Sequence, residues 1–289
     1  MTALLAAEAS VDFGDPETNL ADLASRLAAG ELAPYLGPGL YAGRPVGIPT
    51  APEGLADFFA SKVALPRRAK GNAWAAAQYV ESYKLRATLT AFMTEAFSRP
   101  SAPTPLHEYL ASLPLPMIVD SWYDGGMRAA LAGRSDWGEV QGISRAGISE
   151  DRWFRFYDAT GASADAAAAA KWTTLLYKPH GAITPAANFL ISDADYVEVL
   201  TEIDIQTPIP DIVKERRVNR GFLFIGCRFH DQLLRTYGRQ LMKRSGERHF
   251  ALLEEQTATR NELRFFASQG IVPVVIPIAR AADLLSKAA

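Results

Sequence analysis

Gly221-Phe222-Leu223-Phe224-Ile225-Gly226 decides the fold. Four large apolar side chains between two glycines suit a strand covered on both faces, as in a parallel sheet, rather than one half open to water. A helix is expected directly after it, around Leu233 to Met242. Outward from there the same order of strand, turn and helix recurs. Ile271-Val272-Pro273-Val274-Val275-Ile276 reads as the last strand, with a closing helix through Leu285. Leu175-Leu176-Tyr177-Lys178 runs into the turn Pro179-His180-Gly181, and Leu115-Pro116-Met117-Ile118-Val119 is a short run suited to burial. Leu32-Ala33-Pro34-Tyr35-Leu36 breaks into Gly37-Pro38-Gly39 as strand one.

The intervening stretches read as helices. Asp15-Pro16-Glu17 supplies a cap, a proline tolerated at a first turn, and an acid at the positive end of the dipole. Leu20, Leu23, Ala24 and Leu27 share one face of that helix, and Gly30 ends it. From about Glu53 to Ser98 the apolar positions keep helical spacing, and His107 to Leu113 is one more helix. Together they predict a helical insertion over roughly 53–113, between strands one and two. The alanines from 166 to 170 read as a helix, Trp153 to Tyr157 as an edge strand or hairpin arm, and Asp193 as a cap. Strands alternating with helices predict an α/β fold: one domain over 1–289, with a mainly parallel, Rossmann-like sheet and helices on both faces. Such sheets take ligands beyond the carboxyl ends of their strands. Here those ends carry Gly37-Pro38-Gly39, Asp120-Ser121-Trp122, His180-Gly181 and Gly226-Cys227-Arg228.

Composition narrows the function. The formal net charge is -2 over 289 residues, which gives no basic field for nucleic acid. No stretch approaches the roughly 20 apolar residues of a membrane span, and Met1 to Ser10 lacks a basic leader, so a cytoplasmic location with no membrane partner is expected. The only cysteine, Cys227, rules out an internal disulfide and a thiolate zinc cage. His107, His180, His230 and His249 show no ligand spacing, so no metal is expected. Lys214, Arg216, Arg217 and Arg220 read as a solvated helix end, and Lys243-Arg244-Ser245-Gly246 as an exposed turn.

Five segments in order resemble the sirtuin-like family, including the zinc-less bacterial members that hydrolyse NAD. Tyr35-Leu36-Gly37-Pro38-Gly39-Leu40 stands where that family has its Gly-Ala-Gly phosphate loop. Ile118-Val119-Asp120-Ser121-Trp122-Tyr123-Asp124, reached through Pro105-Leu106-His107, is similar to its strand ending in Thr-Thr-Asn-Tyr-Asp. Leu176-Tyr177-Lys178-Pro179-His180-Gly181 resembles its Lys-Leu-His-Gly segment, and Asp193-Ala194-Asp195-Tyr196 the helix opening that follows. Phe222 to Gly226, with Asp231 and Arg235, resembles the late strand and its tail.

The resemblance implies a site for NAD, ADP-ribose or a related dinucleotide. In it Gly37 and Gly39 face the pyrophosphate together with N–H groups of the next helix start, and Ser121, Trp122, Asp124, Gly181 and Gly226 complete the binding set. It implies His180 as the base on a ribose hydroxyl or a water, with Asp120 beside it as a second catalytic candidate. Without the resemblance, His180 reads as a turn histidine satisfied by backbone, and Asp120 as a strand-end cap.

The sequence also departs from the family. Trp122 replaces the asparagine that orients ribose and water, and an indole offers a donor but no acceptor. Pro38 replaces an alanine and removes an N–H. Both changes imply hydrolysis that is weak, altered or absent. Trp122 either plugs the nicotinamide end or stacks on a ring there. Two alternatives stand beside the binding domain. One is an active NAD glycohydrolase in which Asp120 or Ser121 replaces the missing amide. The other is a non-catalytic structural or regulatory protein working with a separate subunit or by self-association. Protein deacylation that needs a four-cysteine zinc module is excluded.

Overall fold

The computed structural model describes residues 16–41, 44–146, 152–203, 208–254 and 258–287. The cap read at Asp15 and the leader reading of Met1 to Ser10 lie outside them. Helix α1 (Pro16–Ala28) leads into β1 (Leu32–Leu36), and α2 (Pro52–Lys62), α3 (Ala73–Ala96) and α4 (Pro105–Ser112) precede β2 (Met117–Asp120). Next come α5 (Gly126–Leu131), β3 (Trp137–Gly142), β4 (Phe154–Asp158), β5 (Ser163–Ala164), α6 (Ala166–Ala169) and β6 (Thr174–Lys178). A short ribbon of β7 (Gly181–Ala182) and β8 (Asn188–Phe189) is followed by α7 (Asp193–Glu202), α8 (Asp211–Arg216) and β9 (Gly221–Ile225). Then α9 (Gln232–Met242), β10 (His249–Leu253), α10 (Arg260–Gln269), β11 (Ile271–Val275) and α11 (Ile278–Lys287) close the order.

The main sheet runs β11-β10-β9-β1-β2-β6-β3-β4-β5. All pairs from β11 to β3 are parallel, while β4 and β5 are antiparallel additions at one edge. The arm read at Trp153 to Tyr157 is therefore β4, paired with β3. From β1 the chain passes to β2, skips a place to lay down β3, β4 and β5, returns to insert β6 between β2 and β3, and later builds β9, β10 and β11 on the other side. The order reverses between β1 and β9, which pair from Leu32↔Gly221 to Leu36↔Ile225. A crevice opens beyond the strand ends at such a reversal.

The expected two-sided burial is visible within β9. Phe222 and Phe224 enter the core under α2, α3, α9 and α10, while Leu223 and Ile225 enter the core under α1, α4, α5 and α11. Alternate side chains of one strand feed opposite layers, so every residue in it must be apolar. Gly30 ends α1 as read: it takes φ +71°, its N–H reaches Leu27 O at 2.9 Å, and Glu31 N–H reaches Arg26 O at 2.9 Å.

Three readings need correction. The helical stretch from Glu53 to Ser98 is interrupted twice: Pro66 cannot continue α2, so Asn72 starts α3 afresh by accepting from Ala75 N–H at 3.0 Å, and α3 is itself kinked at Leu85, which lies at φ +71°. The cap of α7 is Ser192, with Asp195 closing the reciprocal bond of a capping box; Asp193 is the first helical residue. The arginines near residue 217 are not a solvated helix end. Arg216 donates to the carbonyls of Pro116, Thr173, Ala169 and Trp172, and Arg217, 5% exposed, donates to those of Gln240 and Leu241. Arg220 reaches Gly30 O at 2.9 Å. Each guanidinium fans its several donors across loop carbonyls and ties strand starts together. Among the described residues no helix is long and apolar enough to cross a membrane.

Candidate functional site

At the β1/β9 reversal two glycine turns interlock. Gly37 N–H donates to Ile225 O and Gly39 N–H to Gly226 O, both at 2.9 Å. A Cβ on Gly37 would lie 2.5 Å from Gly226 O, and one on Gly226 would lie 2.5 Å from Leu40 N. Gly226 also holds φ +66°, a conformation costly for other residues. The segment after Gly37 is a single tight turn, Pro38–Tyr41, whose Leu40 N–H folds back to Gly37 O at 3.3 Å. The sequence reading gave these N–H groups to a pyrophosphate. The structure engages the Gly39 and Leu40 donors within the protein, so the glycines serve the approach of turn to turn. Gly226→Ala is expected to lower unfolding free energy by more than about 2 kcal/mol in urea denaturation. A loss below about 0.5 kcal/mol, the size of a typical surface change, would mean that the turns separate freely.

Beside this contact lies a narrow cavity of about 40 Å³, lined by Tyr35, Trp74, Ser121, Trp122, His180 and Tyr196 among others. Outside it a groove of about 240 Å³ runs past Gly39, Thr50, Glu53, Gly226, Arg228 and Glu254. Pro38, Pro52, Cys227 and Arg228 border both spaces and separate them.

His180 projects into the inner cavity from the turn after β6. It is 2% exposed, wedged edge-on against Tyr237 (centroids 4.8 Å) and beside Tyr196 (5.3 Å). Among the described residues neither ring nitrogen has a hydrogen-bond partner. The turn histidine satisfied by backbone is thus overturned. Burial, helped by the Lys178 cation, pulls its pKa from 6.5 down to about 3, so the imidazole is neutral. Trp74, whose buried Nε1–H lies beside Tyr196 with no hydrogen-bond partner among the described residues, lines the same cavity. Unpaired polar groups this deep are rare in folded proteins and call for partners.

Asp120 does not line this cavity. Its Oδ2 holds Lys178 Nζ at 2.7 Å and its Oδ1 accepts from Trp122 N–H at 3.1 Å. Lys178 Nζ also donates to Asp124 O at 2.9 Å. Burial pushes the Asp120 carboxyl up, to about 6, against the pull of Lys178. The pair cross-links β2 to β6 and leaves the carboxylate no free oxygen aimed at His180. Asp124 braces the loop: its Oδ1 accepts from Tyr41 OH and from Gly126 N–H, both at 2.7 Å.

Ser121 reaches the cavity, although its hydroxyl and N–H both donate to Leu36 O, at 2.8 and 2.9 Å. Gly181 lies at φ +74°, where a Cβ would strike Asn188 O at 2.3 Å, so its smallness serves the β7–β8 ribbon. Trp122 is buried against Phe97 and Tyr123 and donates its indole N–H to Pro49 O at 2.8 Å. It walls the cavity and pins the loop before α2. Burial drives the Cys227 thiol pKa up, and its Sγ lies 3.3 Å from Tyr35 O, consistent with an inert packing residue.

Sequence reasoning did not single out Trp74, Tyr196, Tyr237 or Lys178 as site residues. The three aromatics sit at helical spacing and read as core. Lys178 carries a usable signal: a lysine closing an apolar strand run needs a buried partner. Among the described residues no group of three or more His, Cys, Asp or Glu could hold a metal ion.

The comparisons bear on this arrangement. The family model described as "SIR2-like domain" matches residues 116–274, more than half of the chain and nearly all of β2 through β11. A solved structure described as "Structural Basis for the Mechanism and Regulation of Sir2 Enzymes" is similar at 12% identity, covering 93% of this chain and 96% of its own, with a TM-score of 0.41. No curated protein matches the sequence.

Proposed function

This chain belongs to the SIR2-like domain family, and we propose that it binds NAD, ADP-ribose or a related dinucleotide in the β1/β9 crevice, with weak or no hydrolysis. One observation carries the reading: a neutral histidine with two orphaned ring nitrogens at the floor of a cavity beside the topological switch point. A ribose hydroxyl both donates and accepts, so it fits a neutral imidazole and the nearby Trp74 N–H. In this reading His180 and Ser121 hold the ribose, while Gly39, Gly226 and the Arg228 guanidinium flank the pyrophosphate. Trp122 closes the nicotinamide end. The inner cavity falls well short of the roughly 300–1,000 Å³ of small-molecule sites, so the border at Pro38, Pro52 and Arg228 must part when the ligand enters.

Bound NAD would supply an activated nicotinamide–ribose bond. The residues around it are poorly equipped to exploit that bond. A base with its pKa near 3 accepts protons weakly at neutral pH, since general-base catalysis favours a pKa close to the working pH. Trp122 has no acceptor and its donor is engaged by Pro49, while Asp120 is held by Lys178.

Titration calorimetry with NAD and ADP-ribose, with nicotinamide release followed in parallel, tests this. Saturable binding is expected for at least one ligand, weakened at least about tenfold (~1.4 kcal/mol) in His180→Ala, with release near background. Absence of saturable binding for both ligands would sink the proposal. Release that disappears in His180→Ala would make the protein an NAD glycohydrolase instead.

A further inference from the structure

Behind the His180 cavity, across the buried ring of Tyr123, lies a second and larger cleft of about 440 Å³. Its volume falls within the range of small-molecule sites. The geometry points to a second ligand site here, for a small oxyanion: a phosphate- or carboxylate-bearing metabolite.

The argument rests on what the walls can and cannot offer. Trp137, at the start of β3 and 1% exposed, borders the cleft, and its buried indole Nε1–H has no partner among the described residues. An indole nitrogen can only donate. Two guanidiniums, from Arg99 and Arg128, line the same space and are also donor-only. The Thr184 hydroxyl can serve as a further donor. A wall of donors calls for a ligand made of acceptors, and arginine forks suit the paired oxygens of phosphate or carboxylate.

Two glycines lie close beside these guanidiniums. A Cβ on Gly47, which has φ +66°, would lie 2.8 Å from Arg99 Nη1, and one on Gly161, at φ +90°, would lie 3.0 Å from Arg128 Nη2. Arg128 also stands 5.5 Å over the Trp137 ring and is ion-paired with the buried Glu139. Of the acids nearby, Glu139 thus balances Arg128, and Asp124 is occupied by Tyr41 and Gly126. Among the described residues no carboxylate pairs with Arg99, which leaves its charge to attract an anion. Tyr123 lies between Trp122 and Asp124 and borders both cavities, so an occupant here would press on the wall of the His180 cavity.

Calorimetric titration of the full chain with inorganic phosphate, and separately with citrate, tests the site without any dinucleotide in the cell. Its outcome is therefore independent of the NAD reading. Saturable binding of at least one probe is expected, weakened at least about tenfold in Arg99→Ala and severalfold in Trp137→Phe, which keeps the ring and removes the donor. Arg99 is at the surface, so its variant tests the idea even if Trp137→Phe folds poorly. Binding of phosphate alone assigns a phosphorylated ligand, and binding of citrate alone a carboxylate. No saturable binding of either probe, or binding equal in wild type and Arg99→Ala, would overturn the inference.

Discussion

Replacing Lys178 with methionine is expected to cost about 3–5 kcal/mol of folding free energy at pH 7, measured by urea denaturation. The ammonium is 2% exposed and Asp120 5%, with 2.7 Å between Nζ and Oδ2. Methionine matches the stem of lysine but leaves Asp120 buried without its counter-charge, and removes the donor to Asp124 O. The carboxyl can escape part of the penalty by taking up a proton, since burial already raises its pKa. Asp120→Asn in the Lys178→Met background removes the charge while keeping an acceptor for Trp122 N–H, so the double variant is expected to recover at least about half of the loss. The same pair fixes the Asp120–Asp124 loop that carries Ser121 and Trp122 into the crevice. His180 variants should leave stability less affected than Lys178→Met and binding more affected. A loss below about 1 kcal/mol in the single variant would show that the ion pair does not frame the site.

The parallel core of the sheet was readable because its strands are apolar on both faces and end at glycine or polar turns. β1, β6 and β9 follow that rule. β3 does not: Trp137–Gly142 includes Glu139 and Gln141, both buried, one paired with Arg128 on α5 and the other with the Thr184 carbonyl 43 residues on. Its polarity hides a strand that sits inside the sheet, between β6 and β4. β10 is hidden for another reason. It opens on His249, whose Nδ1 accepts from Phe222 N–H at 3.0 Å, a pairing no local pattern reveals. The strand order, and hence the crevice between β1 and β9, is a property of long-range pairing. Within the site, His180 was reachable through its segment, but the sequence could not say that its nitrogens lack partners. Nor could it say that Asp120 is taken by Lys178 or that Gly39 donates to Gly226. The surface reading of Arg216, Arg217 and Arg220 failed because their carbonyl partners come from turns up to 190 residues away.

Acidification from pH 7 to pH 5 is expected to remove roughly 4–5 kcal/mol of stability, before most ordinary carboxylates titrate. Three histidines are buried as neutral rings: His180 with a pKa near 3, His107 near 4 and His249 near 4, against 6.5 when unfolded. Burial is the first cause in each. Because the folded values lie below the unfolded one, the unfolded chain binds more protons as pH falls below 6.5. The stabilisation is complete above 6.5 and is lost as pH drops toward the folded values. At pH 5 each ring accounts for about 2 kcal/mol. Asp120 acts in the opposite direction, since its raised value lets the folded state take up a proton near pH 6, and it offsets about 1 kcal/mol. His107→Gln isolates one contribution. His107 is the third residue of a capping box, where its Nδ1 accepts from Thr104 N–H at 3.1 Å, and glutamine serves that role without titrating. Urea denaturation of this variant at pH 7 and pH 5 should show an acid loss about 2 kcal/mol smaller than that of the wild type. Equal losses in the two proteins would mean that His107 is protonated in the fold and that its burial does not hold it neutral.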